Sequence, residues 1–409
     1  MHSTRIMVVK SVSLFGRELF RIERNRSGEF SYTFLDGSSF VDNGKYMDLY
    51  LTNPVLSTIV NFASQYYSQM KIVHLTKDNR VIENSPYVNL LNTPNYFQSK
   101  EDFFFQQMVF LSVTGTDLIY QIKAFTNDIP KAIYNLIPTE LDYKEIQKIK
   151  KFIVTEKDIK AFEEQIIEYT LDSQTYYLKL KDIIPTFDLS NGLVNNSLLL
   201  SHSRVKGVAK VLNNIDENLK AKNVNLQMTQ KYLGNNASDG NNAQIQEKDR
   251  NSIERVISNK SLILTNQANI DVKHLVSDMK KLFLDEQFSD DANKVLLAFG
   301  MNKNVLNYFA KDSTFENQNQ GLISYIQNQI QVTADNTMNS LSQSWGLFAK
   351  GEKLKASYDH LPVMQSVINS KIATLTEFQN MVKIAKENGT ITDADAISKT
   401  KDLMIKLNL

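Results

Sequence analysis

The sequence predicts an α+β fold, a mixed region of short strands and helices over residues 1–203 followed by long helices. Three observations carry that expectation. Strand-like alternation and helical periodicity change places several times before residue 203. From Arg204 to Lys231 there is no proline and a single glycine, Gly207, beneath a narrow apolar stripe. A second helical stretch, 276–299, closes on Gly300, with only a polar segment and a short mixed section between the two.

Composition narrows the function classes. The 409 residues are 42% hydrophobic, enough to fill the cores of two or three compact units. With 46 basic against 45 acidic side chains the chain has no global field, so any contact with nucleic acid must be local or weak. The absence of cysteine excludes disulfides, thiolate catalysis and sulfur-ligated metals, and suits a reducing compartment. His2, His74, His202, His274 and His360 show no spacing that puts two on one helical face, so no metal or other cofactor is expected and each is assigned to the surface or an edge. There is no Gly-rich phosphate loop and no G-x-S-x-G elbow, and the pairs Asp290/Asp291 and Asp393/Asp395 read as solvated helix starts. An enzyme is not expected. No membrane span is expected either, because no run approaches roughly 18 apolar residues. Arg5, Lys10, Arg17 and Glu18 interrupt the N-terminal apolar element, which argues against a secretory signal.

In chain order, Phe30–Leu35 is a β-rich patch. After Asn53-Pro54, the recurrence of Val55, Ile59, Phe62, Ala63, Tyr66 and Met70 marks an amphipathic helix, and a strand over 71–76 follows. Ser99 with Asp102 three residues on signals the start of a helix from Lys100 to about Ser112. Phe103, Phe104, Phe105 and Phe110 cover more than one of its faces. Such a helix is buried on several sides, either within its own chain or against a neighbouring subunit. Gly115 ends it, and Leu118, Tyr120 and Ile122 alternate with polar residues as a strand does. A second strand over 132–137 closes on Pro138. A lysine-rich amphipathic section and an acidic helix then lead to a strand at 176–180, with a loop over 185–196.

The stripe of Val208, Leu212, Ile215, Leu219 and Leu226 spans a helix of roughly 40 Å. Residues 232–244 are too rich in Gly and Asn for regular structure, a charged helix occupies 246–258, and two short strands around Asn266–Asn269 read as a hairpin. Past Gly300 the chain is polar and poorly periodic until a helix over 322–341, whose wet face is dominated by Asn and Gln. Amides can touch a polyanion without the strong pairing of Lys or Arg. A helix over 361–387 stops at Asn388-Gly389, and Thr392 with Asp395 starts the next.

This order of elements resembles the portal protein family of tailed double-stranded DNA bacteriophages. Leu90-Leu91, Pro94-Asn95, the Phe-rich helix, Gly115, the strand over 118–122 and Leu136-Ile137-Pro138 carry the first match. The strand pair over 262–272, Ala298-Phe299-Gly300 and Glu316-Asn317-Gln318-Asn319-Gln320 carry a second; Leu361-Pro362 and the segment 388–392 complete it. The family's usual proline after Phe-Gly is replaced here by Met301-Asn302-Lys303, and the histidine often found near Pro185 is missing.

The resemblance implies a portal-like fold with a wing (1–203), a first stem helix (204–231), a clip (232–275), a second stem helix (276–300), a tunnel loop (301–319), a long channel helix (320–345) and a helical crown (346–409). It implies a self-assembled ring, usually of twelve copies, at a capsid vertex of the virion, put together in the host cytoplasm. Double-stranded DNA would pass through it, with terminase large subunit, head–tail adaptor, major capsid protein and scaffold as protein partners. On this reading Lys303, Asn304, Lys311 and Asn317 face DNA. Asn235, Asn236, Lys248 and Arg250 in the clip meet partner proteins, and Phe103, Phe104, Leu212 and Leu219 supply subunit contacts. The alternative is a non-enzymatic helical scaffold or adaptor that binds only protein.

Overall fold

The computed structural model describes residues 8–14, 17–24, 30–34, 43–123, 129–141, 155–188, 199–228, 232–236, 270–274, 284–306, 315–388, 390 and 392–407. An antiparallel sheet of β1 (Val8–Leu14), β2 (Arg17–Arg24) and β3 (Phe30–Phe34) opens the chain, and only its last strand is marked by the sequence pattern. Next come α1 (Asn43–Thr52) and α2 (Pro54–Ser68). The Asn53 side chain accepts from the Val55 and Leu56 amides at 3.1 Å, which satisfies two N–H groups that the first turn leaves without partners. Its amide nitrogen also donates to Asp216 Oδ1 at 2.8 Å, so one cap ties α2 to a distant helix.

β4 (Lys71–Leu75) and α3 (Pro86–Asn92) precede α4 (Lys100–Thr114). The predicted capping box is present: Ser99 Oγ accepts from the Asp102 amide and Asp102 from the Ser99 amide. The helix ends at Gly115 with φ +83, a left-handed position that favours glycine. α4 packs on α1, α2, β5 (Thr116–Lys123) and β6 (Pro130–Asn135), which is why it is apolar nearly all round. β5 is the central strand of a three-stranded sheet, between β6 and the later strand Ile183–Phe187, and Asp117, Leu118, Ile119 and Gln121 are all buried, so the alternation expected of a half-exposed strand is covered on both faces.

The acidic helix is shorter than its sequence suggests. α5 (Glu156–Glu163) stops early, and β7 (Ile166–Leu171) turns through Asp172 and Ser173, both at positive φ, into β8 (Gln174–Lys179). Ile167, Tyr169 and Leu178 bury one face of this hairpin, and the pull of period-two burial overrides the local charge. Pro185, expected in a loop, lies in β9 (Ile183–Phe187), which among the described residues pairs only with β5; an edge strand tolerates its missing N–H.

α6 (Arg204–Met228) is the first long helix. β10 (Tyr232–Asn236) pairs antiparallel with β11 (Ile270–His274), so the start of the segment read as irregular is a strand. Backbone pairing with the alternating Ile270 and Val272 outweighs the poor strand propensity of Gly234-Asn235-Asn236. The expected helix over 246–258 and the turn at Asn266–Asn269 lie outside the described residues. α7 (Leu284–Ala298) runs antiparallel to α6: Arg204 meets the Ala298 carbonyl at one end, and Lys222 sits 5.1 Å from the Phe288 ring centre further along. Asp290 and Asp291 are inside α7 rather than at its start.

The last helical run comprises α8 (Phe315–Tyr325), a π-turn (Ile326–Ile330) and α9 (Gln331–Ser344). β12 (Lys353–Ser357), unmarked in the sequence, pairs with β4, and α10 (Pro362–Glu387) and α11 (Asp393–Leu407) follow, the latter capped by Thr392 and Asp395 as predicted. One apolar cluster joins α2, α4, the N-terminal half of α6, α7, α8 and α9, while a smaller one lies under β7 and β8. His74, expected at the surface or an edge, is buried in β4, a strand of a two-stranded sheet, with Nδ1 2.9 Å from Ser85 Oγ and Nε2 3.2 Å from Glu352.

Candidate functional site

Three of the four residues expected to face DNA, Lys303, Asn304 and Asn317, are described, at the root of the segment 301–319 and on the helix that follows it. Asn302 Oδ1 accepts from the Asn304 amide at 3.2 Å and starts a single 3₁₀ turn, Lys303–Val305. Lys303 is exposed there and Asn304 is half-buried. Gly321 on α8 lies against this turn: a Cβ at that position would be 3.6 Å from Asn304 Cβ and 3.4 Å from Val305. Asn317, one helical turn earlier on the same face of α8, is exposed, so it belongs to a helix and not to the expected loop. Lys311 lies outside the described residues. An open cleft of about 480 Å³ adjoins the turn, lined by Asn293, Leu297, Gly300, Met301, Asn302 and Lys303.

Behind this root sits a polar joint that the sequence reading missed. Arg204, the first residue of α6, holds Asp188 at the end of β9 through Nε and Nη2, the latter 2.8 Å from Oδ1. Burial opposes the guanidinium charge, but the Asp188 carboxylate outweighs that cost and the Arg204 pKa is raised. Its remaining N–H groups reach the Ala298 carbonyl at 3.3 Å and Gln329 Oε1 at 3.3 and 3.4 Å. One cation thus connects the sheet, both long helices and the π-turn. A cation at a helix N-terminus runs against the helix dipole, and that misfit in Ser203-Arg204 is the sequence signal that marks it.

The clip and interface residues fare differently. Asn235 and Asn236 lie on β10 opposite Asp271 and Ile270, while Lys248 and Arg250 are outside the described residues. Phe103, Phe104 and Leu212, assigned to subunit contacts, are each 0% exposed within the single chain, and Leu219 packs half-buried against the same cluster. For Phe103, Phe104 and Leu212 this corrects the assignment; Leu219 keeps exposed surface. A side chain already sealed by its own chain has no surface left to give a neighbour, and Phe103 and Phe104 form a T-shaped pair with centroids 5.2 Å apart inside that core. Tyr96 and Phe97, 92% and 82% exposed, are the aromatic residues of this region that do face outward.

Among the described residues no group of His, Asp and Glu is arranged to hold a metal, and no helix is long and apolar enough to cross a membrane. No protein-family model and no curated protein sequence matches the chain. Solved structures do. A chain from the neck of an empty gene transfer agent particle, computed with sixfold symmetry, superposes with a TM-score of 0.63 at 14% identity, covering 90% of this chain and 94% of that one. A chain from the neck of the native particle, computed with twelvefold symmetry, gives 0.58 at 13% identity over 90% and 93%. An HK97 family phage portal protein from Corynebacterium diphtheriae gives 0.48 at 12% identity over 80% and 100%. By fold, the chain stands with the neck chains of gene transfer agent particles.

Proposed function

We propose that the chain is a phage-type portal protein, a non-enzymatic subunit of a ring at one capsid vertex through which double-stranded DNA enters and leaves. The observation that carries this reading is the fold shared over 90% of the chain with necks computed with sixfold and twelvefold symmetry. A ring uses a heterologous contact that closes on itself, so each copy presents two different faces.

Charge supports a conduit rather than a clamp. B-form DNA carries one phosphate charge per roughly 1.7 Å, and in a ring of twelve every exposed lysine acts twelve times. A near-neutral chain with an amide-rich α8 holds DNA weakly at many points, which lets it slide. In this reading Lys303, Asn304, Lys311 and Asn317 line the passage. The strands β10 and β11, with the segment carrying Lys248 and Arg250, dock terminase and later the head–tail adaptor. Capsid protein and scaffold surround the ring.

Particle averaging of the purified full chain by electron microscopy tests the proposal. A many-fold ring with a pore wide enough for a duplex is the expected result. A compact single chain at high concentration, or a ring without such a pore, overturns it.

A further inference from the structure

The helical run 315–344 is regular except at Ile326–Ile330, where the Gln331 amide reaches back to the Ile326 carbonyl, five residues away. A π-turn holds one residue more than the α-helix around it and recurs at functional positions. It therefore has a defined alternative. Expelling the extra residue advances the preceding helix by about 1.5 Å and rotates it by about 100°. α9 cannot follow, because the Thr337 and Tyr67 hydroxyls are hydrogen-bonded at 2.8 Å and Gln331 Nε2 donates to the Ala356 carbonyl at 2.9 Å. The moving part would be α8, with Asn317 and Gly321, and the chain ahead of it.

Ile326 and Ile330 are fully buried, and Ile323 and Tyr325 at the end of α8 are buried in the same cluster, so apolar packing also holds the present register. Gln329 is specific. Its Oε1 accepts from both Nη atoms of Arg204, and its side chain lies over Gly300 so closely that a Cβ there would be 2.5 Å from Gln329 Cδ. Gly300 caps α7 and Arg204 holds the Ala298 carbonyl, so the end of the second long helix and the π-turn share one polar contact.

We infer that Gln329 is a latch that holds the channel helix in its wide-turn register, with Arg204 and Gly300 as the keeper, so that displacement of the end of α7 releases it. Arg204 and Gln329 are positioning residues. The consequence for DNA, a rotation of the Asn317 face, rests on the portal reading; the latch itself does not.

Hydrogen exchange on the full chain, in whatever assembly it forms, tests this. Gln329→Ala removes the acceptor and leaves the Arg204–Asp188 pair intact; amides 327–331 are expected to exchange about tenfold faster, with those of α2 unchanged. Gln329→Glu keeps the shape and adds a charge for Arg204, and the same amides are expected to slow. Unchanged exchange at the turn in both variants, or acceleration in both, overturns the latch. Absence of rings under the microscope would count against the portal reading alone.

Discussion

Asp117 Oδ2 accepts a hydrogen bond from Gln107 Nε2 at 3.2 Å, with both residues sealed from solvent. Gln107 in turn accepts from the Tyr67 hydroxyl, whose oxygen is hydrogen-bonded to the Thr337 hydroxyl at 2.8 Å, so the carboxyl sits at the end of a polar chain linking β5, α4, α2 and α9. Burial is the main cause that pushes the Asp117 pKa up to about 8; hydrogen bonds from Gln107, the Leu118 amide and Thr186 oppose it without reversing it. The native chain therefore keeps a proton that the unfolded chain loses near pH 4. Stability falls as pH rises between those two values and levels off above the upper one, at a limiting slope of about 1.4 kcal/mol per pH unit. Asp117→Asn mimics the protonated acid. It is expected to flatten this dependence and to raise stability most at pH 8 and above. Denaturant unfolding at pH 5, 7 and 9 checks it, and parallel pH profiles for both chains would refute the assignment.

Gly115 joins α4 to β5 where the chain entering α6 passes closest. A Cβ there would lie 2.4 Å from the His202 carbonyl oxygen, a backbone atom that cannot swing aside, and the φ of +83 adds a left-handed penalty of about 1–2 kcal/mol. Gly115→Ala is expected to cost more than that penalty alone. Ser99→Ala, at the other end of α4, should cost only about 0.5–2 kcal/mol through the lost cap. Thermal melts of the two variants rank them, and an equal loss would mean that the close approach to His202 relaxes freely.

The burial of Phe103 predicts a folding defect rather than an assembly defect. Phe103→Ala empties a site with no solvent access and should destabilise the chain by about 3–5 kcal/mol. Melting of the dilute chain is the measurement. A variant that melts normally but no longer assembles would restore Phe103 to a subunit interface.

How much of this was readable beforehand depended on whether the signal was local. Ser99 and Asp102, Gly115, Thr392 and Asp395 announce their caps because a few neighbouring residues satisfy the helix ends by themselves. The multi-sided apolar character of α4 was visible too, but whether its own chain or another covers it is a long-range fact that no spacing encodes. The same holds for β12, whose pairing with β4 spans most of the chain, and for Pro185, acceptable only because β9 is an edge. At the candidate site Lys303 and Asn304 are legible through the order of motifs that the resemblance rests on, not through any local pattern of their own. Of the joint of Asp188, Arg204, Ala298 and Gln329 only Arg204, a cation at a helix start, carries a local signal; its partners could not be read, since the members come from four elements.

The exposed Lys303 at the root of the segment 301–319 yields the last prediction. Lys303 stands on a short turn fixed by Asn302, while Val305 and Leu306 pack against the core, so deleting the turn would damage the fold along with the site. Single-atom economy is better served by Lys303→Ala combined with Lys311→Ala, which removes charge and leaves the packing of Val305 in place. If these side chains approach phosphates in a ring, each contact contributes about −0.9 to the slope of log affinity against log salt. The variant rings should hold duplex DNA less tightly and with a shallower salt dependence, at an unchanged melting temperature. Binding of a blunt duplex to assembled rings at several salt concentrations is the test. An unchanged slope would remove both lysines from the DNA path, and a lowered melting temperature would show that the turn serves the fold instead.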